Sequence, residues 1–142
     1  MAAMTPRTIR ERLQTLLEDG DPSLLRSIEP FSLTKQPNTV TDKAYTLEDE
    51  RVRETSLTAE VTARIDRVTL SVARRLGDPA EDTVVELLDL LDDIDRRVRA
   101  DGVSQGYHMQ PQGSRVLRPD GRDYCVGVLS WLCDYDYSET VN

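Results

Sequence analysis

Aromatic residues are scarce in this chain. Phe, Trp and Tyr supply 5% of its 142 residues, so any core must be built mainly from Leu, Ile and Val. Basic charge is short too: 18 Lys and Arg stand against 26 Asp and Glu, a formal charge of −8. Such a surface is poorly suited to neutralising phosphates, which argues against sequence-reading contact with nucleic acid. Arg64, Arg67, Arg74 and Arg75 have no aromatics interleaved with them, so they do not form a base-stacking patch. No apolar run reaches the ~18 residues that a spanning helix needs. The opening stretch MAAMTPRTIRERLQ offers no apolar h-region, so no secretory signal is expected there.

Reactive side chains are equally few. His108 is the single histidine, and a Ser–His–Asp or Cys–His relay would have to use it, yet no nucleophile motif lies near it. One histidine and two distant cysteines give no zinc spacing. Cys125 and Cys133, if they share one extended strand, stand roughly 26 Å apart and cannot bridge; reduced packing thiols in a cytosolic compartment are expected. Asp134, Asp136 and Ser138 mimic the start of a calcium loop, but Glu139 occupies the position that needs glycine. No Gly-rich phosphate loop occurs. The expectation is no catalytic residue, no bound metal and no cofactor.

What the chain does have is one long amphipathic helix, expected over 79–101. Asp78 is placed to cap it, Pro79 to open it and Glu81 to complete a capping box. Val84, Leu87, Leu88, Leu91, Ile94 and Val98 recur on one face of a 3.6-residue repeat. Acid precedes base in i, i+4 steps from Asp89 through Asp93 to Arg97, and in the pairs Asp92–Arg96 and Asp95–Arg99. Gly102 is the expected stop.

The remaining elements follow in chain order. A first helix is expected over 5–19, with Thr5 as cap, Pro6 in the first turn and Ile9, Leu13, Leu16 and Leu17 inward. Glu18 and Asp19 sit at the wrong end for its dipole, where solvent is the expected cover. The segment 21–42 is irregular, with a short strand at Phe31–Thr34; after it another is expected near Tyr45 and Leu47, before Glu48-Asp49-Glu50-Arg51 breaks the pattern. Residues 54–77 fit two readings: a helix through Leu57, Val61, Ile65, Val68, Val72 and Leu76, or a strand bulged near Asp66-Arg67. The density of Thr, Val and Ile favours a strand from Arg64 to Arg75. After a loop at 103–113 comes a hairpin over 115–137, turning at Pro119-Asp120-Gly121. Its second strand is apolar on both faces: Tyr124, Val126, Val128 and Leu132 on one, Cys125, Leu129, Trp131, Cys133 and Tyr135 on the other. Such a strand needs cover on both sides, from the helices on one and a neighbouring subunit on the other. The whole, 1–142, is expected to be a single α+β domain with two helices on a small, mostly antiparallel sheet.

Three stretches carry a resemblance: the Pro-rich IEPFSLTKQPNTVTDKAYTLE after the first helix, RVTLSVARRLGDPAEDTVVELLDLLDDIDRRV, and the final CVGVLSWLCDYDYSE. In layout the chain resembles the tail-terminator, or tail-completion, proteins of long-tailed bacteriophages. The resemblance implies a homo-oligomeric ring, usually a hexamer, that caps the tail tube protein and docks the neck or head-completion protein. It implies assembly in the host cytoplasm, a place in the virion, and DNA passing through without specific binding. On that reading Asp89, Asp92 and Asp93 are candidate lumen or interface acids, and Trp131, Tyr135 and Tyr137 mark a candidate inter-subunit strand. The alternatives are a neck or head-closure adaptor, or a small cytosolic binding or regulatory module whose acidic helix faces a basic partner.

Overall fold

Two capped amphipathic stretches and a set of alternating ones become, in the computed structural model, two helices and six strands among the described residues, 3–31 and 35–138. A two-residue strand, β1 (Ala3–Met4), leads into α1 (Pro6–Glu18). Next come β2 (Leu25–Arg26), β3 (Ala44–Ser56) and β4 (Thr62–Arg75). Helix α2 (Ala80–Gln105), then β5 (His108–Leu117) and β6 (Tyr124–Tyr137), complete the chain. The sheet runs β2-β3-β4-β6, with β5 and β1 in line along the outer side of β6. Its four long strands are antiparallel to their neighbours, while β1 and β2 pair in parallel. Two helices packed on a mostly antiparallel sheet make this an α+β fold, as the sequence led us to expect.

The core lies between that sheet and the helices. Ile9, Leu13 and Leu17 of α1 and Leu87, Leu91, Ile94 and Val98 of α2 meet Leu47, Val68, Leu70, Val72, Leu129 and Trp131. Gly127 lets α2 come close: a Cβ there would sit 2.9 Å from Leu87 Cγ and 3.0 Å from Leu91 Cδ1.

Segment 54–77 resolves as strand from Thr62 onward, with the start of the segment belonging to β3 and its turn. The bulge lies elsewhere than expected. β4 pairs with β6 without interruption from Thr62↔Tyr137 to Arg75↔Tyr124, and the register shift falls on β3, between Arg51 and Arg53. The change of phase near Asp66 has another cause: Asp66 itself takes a core-facing position and is 6% exposed. β3 also continues through Glu48-Asp49-Glu50-Arg51 to Ser56, where the sequence predicted a break. From Glu48 onward these residues are exposed, and beyond Tyr45 no described strand pairs with β3 on its outer side. A charged strand edge meets water at no desolvation cost.

Other boundaries move as well. The cap position of α2 is Pro79, not Asp78, with no side-chain cap bond; instead Thr83 Oγ1 accepts a 2.9 Å hydrogen bond from Gly77 N–H. The helix passes through Gly102 and stops at Gly106, whose φ of 98° is left-handed. Gly102 is required for a different reason, because a Cβ there would collide with the Tyr107 carbonyl oxygen. On the inner stripe Leu90 takes the place given to Leu88, which is 37% exposed. Part of the expected loop 103–113 is the strand β5, bulged between Pro111 and Gly113. Phe31 is buried but lies outside any strand, and the rest of the expected Phe31–Thr34 strand is outside the described residues.

The second face of β6 is covered partly by the chain itself. Tyr124, Val126 and Val128 form a smaller cluster with Phe31, Ala44 and Ala73, backed by Val40, and Tyr124 OH donates to the Pro37 carbonyl at 2.7 Å. A neighbouring subunit is therefore not needed at that end of the strand.

Candidate functional site

The outward face of α2 is a band of carboxylates set by the helix repeat. Glu81, Asp82, Glu86, Asp89 and Asp92 are all exposed, and none has a cationic partner among the described residues. Asp93 is different: it bridges Arg96 at 3.4 Å and Arg97 at 3.2 Å. Two of the three candidate acids are thus unpaired, and the third is neutralised. The expected Asp92–Arg96 pair is replaced by Asp93–Arg96, one turn position nearer. Within the acidic band the sequence reading missed Val85, 56% exposed, beside Leu88. Leu88 was expected on the buried stripe, and Val85, one i, i+3 step before it, was given no place, although that spacing on an otherwise acidic face is visible in the sequence.

The three aromatics of the candidate inter-subunit strand part company. Trp131 and Tyr135 point into the chain's own core, 1% and 0% exposed. Trp131 Nε1–H donates to Asp95 at 2.8 Å, and Tyr135 OH donates to Asp66 at 2.6 Å. Any contact that this strand offers a neighbour must run through other side chains. Tyr137 is half-buried, its ring under the Arg64 guanidinium at 3.4 Å from the centroid, a cation–π contact.

Trp131 and Tyr135 belong to a set of acid-centred ties within the sheet and between it and the helices. Asp66 accepts from both Arg51 and Tyr135. Asp101 accepts from Arg12, by way of Nε at 3.1 Å, and from Tyr107 OH at 2.5 Å, joining α1, α2 and the start of β5. Glu18 accepts from Tyr45 OH at 2.6 Å and Arg26 at 2.8 Å, so the end of α1 faces partners where solvent was expected. Burial raises the Asp101 pKa, but the hydrogen bonds from Arg12 and Tyr107 outweigh it and hold the carboxyl below its ordinary value. Tyr45, desolvated and donating to Glu18, is pushed up to about 12. Burial, then the bonds to their acids, raises Tyr107 and Tyr135 likewise. These shifts are those of structural ties that hold tyrosines neutral.

No reaction chemistry converges on them. His108 is exposed at the start of β5, across the ladder from Asp134, with no nucleophile beside it. Cys125 and Cys133 lie on one strand, both buried as free thiols, and burial pushes Cys133 up to about 12, which keeps it protonated and unreactive. Among the described residues no group of three or more His, Cys, Asp or Glu side chains is placed to hold a metal ion. No helix among them is long and apolar enough to cross a membrane.

The two lateral edges of the sheet draw on stretches that were expected to be loops, 21–42 and 103–113, and that a subunit contacting several neighbours would use. On one, β5 exposes His108, Gln110, Gln112, Ser114 and Arg115, with Arg118 just beyond. On the other, β2 covers only the first residues of β3, leaving Glu48 exposed in a cleft with Ile28; Ile28 is 100% exposed and Leu25, paired with Ala44, is 53% exposed. A signal for the first edge stood in the sequence: from Gly102 to Pro119 there is no acid.

No protein-family model matches the chain, and no curated protein matches it in sequence.

Proposed function

We propose that the protein is a structural component of a phage virion, a tail terminator whose copies form a ring that caps the tail tube and joins it to the neck. The observation that carries this reading is the unpaired carboxylate band of α2 on a −8 chain. At separations within a Debye length of roughly 10 Å, such a wall repels a polyanion, so DNA slides past without adhering. The layout of elements on the α+β scaffold supports the same reading, as does a surface that concentrates its features on faces and edges.

The test pairs electron microscopy with DNA retardation. The expected result is a ring with a central channel that leaves double-stranded DNA unretarded. Asp89→Lys with Asp92→Lys, on exposed and unpaired positions, should leave the fold and the ring intact while giving DNA a foothold. A wild-type protein that itself retards DNA, or one that never forms a ring, refutes the proposal.

Val85 and Leu88 among the acids favour a second reading: a small binding module whose α2 face receives a basic, partly apolar partner. It is the one to keep if the protein stays monomeric and Val85→Asp abolishes capture of a basic amphipathic peptide.

A further inference from the structure

We infer that copies of this chain meet head to tail through the two unlike edges of the sheet, the β5 edge of one against the β2–β3 edge of the next. The inference rests on the ring reading and names the surfaces that would build it. Each edge carries what the other lacks. The β5 side is the acid-free stretch from Gly102 to Pro119, where a chain with 26 acids in 142 residues would on average place about three. It exposes Arg115 and Arg118, neither of them paired with a carboxylate among the described residues.

The β2–β3 side carries a cleft lined by Arg26, Ser27, Ile28, Pro30, Thr46 and Glu48. Both arginines that line it are already held, Arg26 by Glu18 and Arg10 by Asp49. That leaves Glu29, next to Ile28 in the chain, and Glu48, across the cleft from it, as the exposed, unbridged charges around Ile28; the unbridged Arg53 lies farther along β3, beyond its bulge. Fully exposed Ile28 is the apolar anchor that such a contact needs at its centre.

Charge also decides the symmetry. Two β5 edges would set arginine against arginine, and two β2–β3 edges glutamate against glutamate, so only unlike edges attract. A contact between unlike surfaces repeats from copy to copy and closes into a ring when the rotation permits. Continuous backbone pairing between copies is obstructed on both sides. Pro111 lacks an N–H, and β5 is bulged beside it; β3 is bulged at Arg51/Arg53 and charged along its edge. The contact is therefore made by side chains.

Charge reversal tests this on the full-length protein, with native mass and sizing at low salt and circular dichroism as the folding control. Arg115→Glu with Arg118→Glu should weaken assembly by about tenfold or more, and so should Glu29→Arg with Glu48→Arg. All four changes in one chain should restore it, because the reversed edges again complement each other. Assembly that persists unchanged through both reversals overturns the assignment of the edges while leaving the ring standing. A wild-type chain that is monomeric throughout overturns both.

Discussion

Asp66 shows how one side chain can redirect the reading of a whole segment. It faces the core on β4, in line with Val68, Leu70 and Val72, held by Arg51 and Tyr135. A buried acid inside an apolar alternation mimics a change of phase, and so a bulge was expected where the ladder is regular. Removing it leaves a buried phenol without an acceptor, at about 1–3 kcal/mol. We expect Asp66→Ala to cost about that much in urea denaturation, and Asp66→Ala with Tyr135→Phe to cost less than the sum of the two single changes. At Gly102 the sign of the effect is informative. Alanine in an open helix interior stabilises by roughly 0.5–1 kcal/mol, but here its Cβ meets the Tyr107 carbonyl. Gly102→Ala should therefore destabilise, by about 1–3 kcal/mol as overpacking does, again measured by denaturation. The raised tyrosines give an alkaline limit. Their folded pKa values lie above the unfolded ones, so their contribution is complete below about pH 10 and is lost as pH rises through the folded values, about 12 for Tyr45. Tyr107→Phe should lose stability less steeply over that range, read as the denaturation midpoint against pH.

At the level of elements, α2 sorts its own leucines. Leu91 is fully buried, whereas Leu88 is 37% exposed. Leu91→Asp should unfold the protein, costing several kcal/mol, while Leu88→Asp should stay within about 0.5–1 kcal/mol of the wild type in the same melt. Helix α1 was legible because its signals are local: Thr5 accepts from Thr8 N–H at 3.1 Å, Pro6 opens the first turn and the inward stripe is regular. β4 and β6 were legible because they are central and alternate. The edges were not. β3 carries its acids along an edge that no described strand pairs with beyond Tyr45, and β5 is made of Gln, Gly, Ser and Pro, whose low strand propensity is overridden by pairing with β6. Edge strands are specified by their neighbour more than by their own letters. The C-terminal end of α2 was misplaced because Gly102, needed where the chain turns back past Tyr107, looks in sequence like a helix terminator. Of the candidate site, Asp89 and Asp92 were legible as exposed acids, while the inward turn of Trp131 and Tyr135 depended on which face of β6 the helices cover.

For the molecule as a whole, the excess of acid sets a working range of pH. Its pI is near 4.7, so the repulsion between copies vanishes there. The tie at Asp101 persists to lower pH, because a folded pKa below the ordinary 3.8 contributes above that value and is lost only as pH falls through it. On acidification, association read by light scattering should therefore precede unfolding read by circular dichroism. The unbroken β4–β6 ladder, running from Thr62↔Tyr137 to Arg75↔Tyr124, has a mechanical consequence. A pull applied between Arg75 and Tyr137 acts along the strands at opposite ends, so the rungs share the load in shear instead of parting one at a time like a zip. That direction is the stiff axis of the molecule.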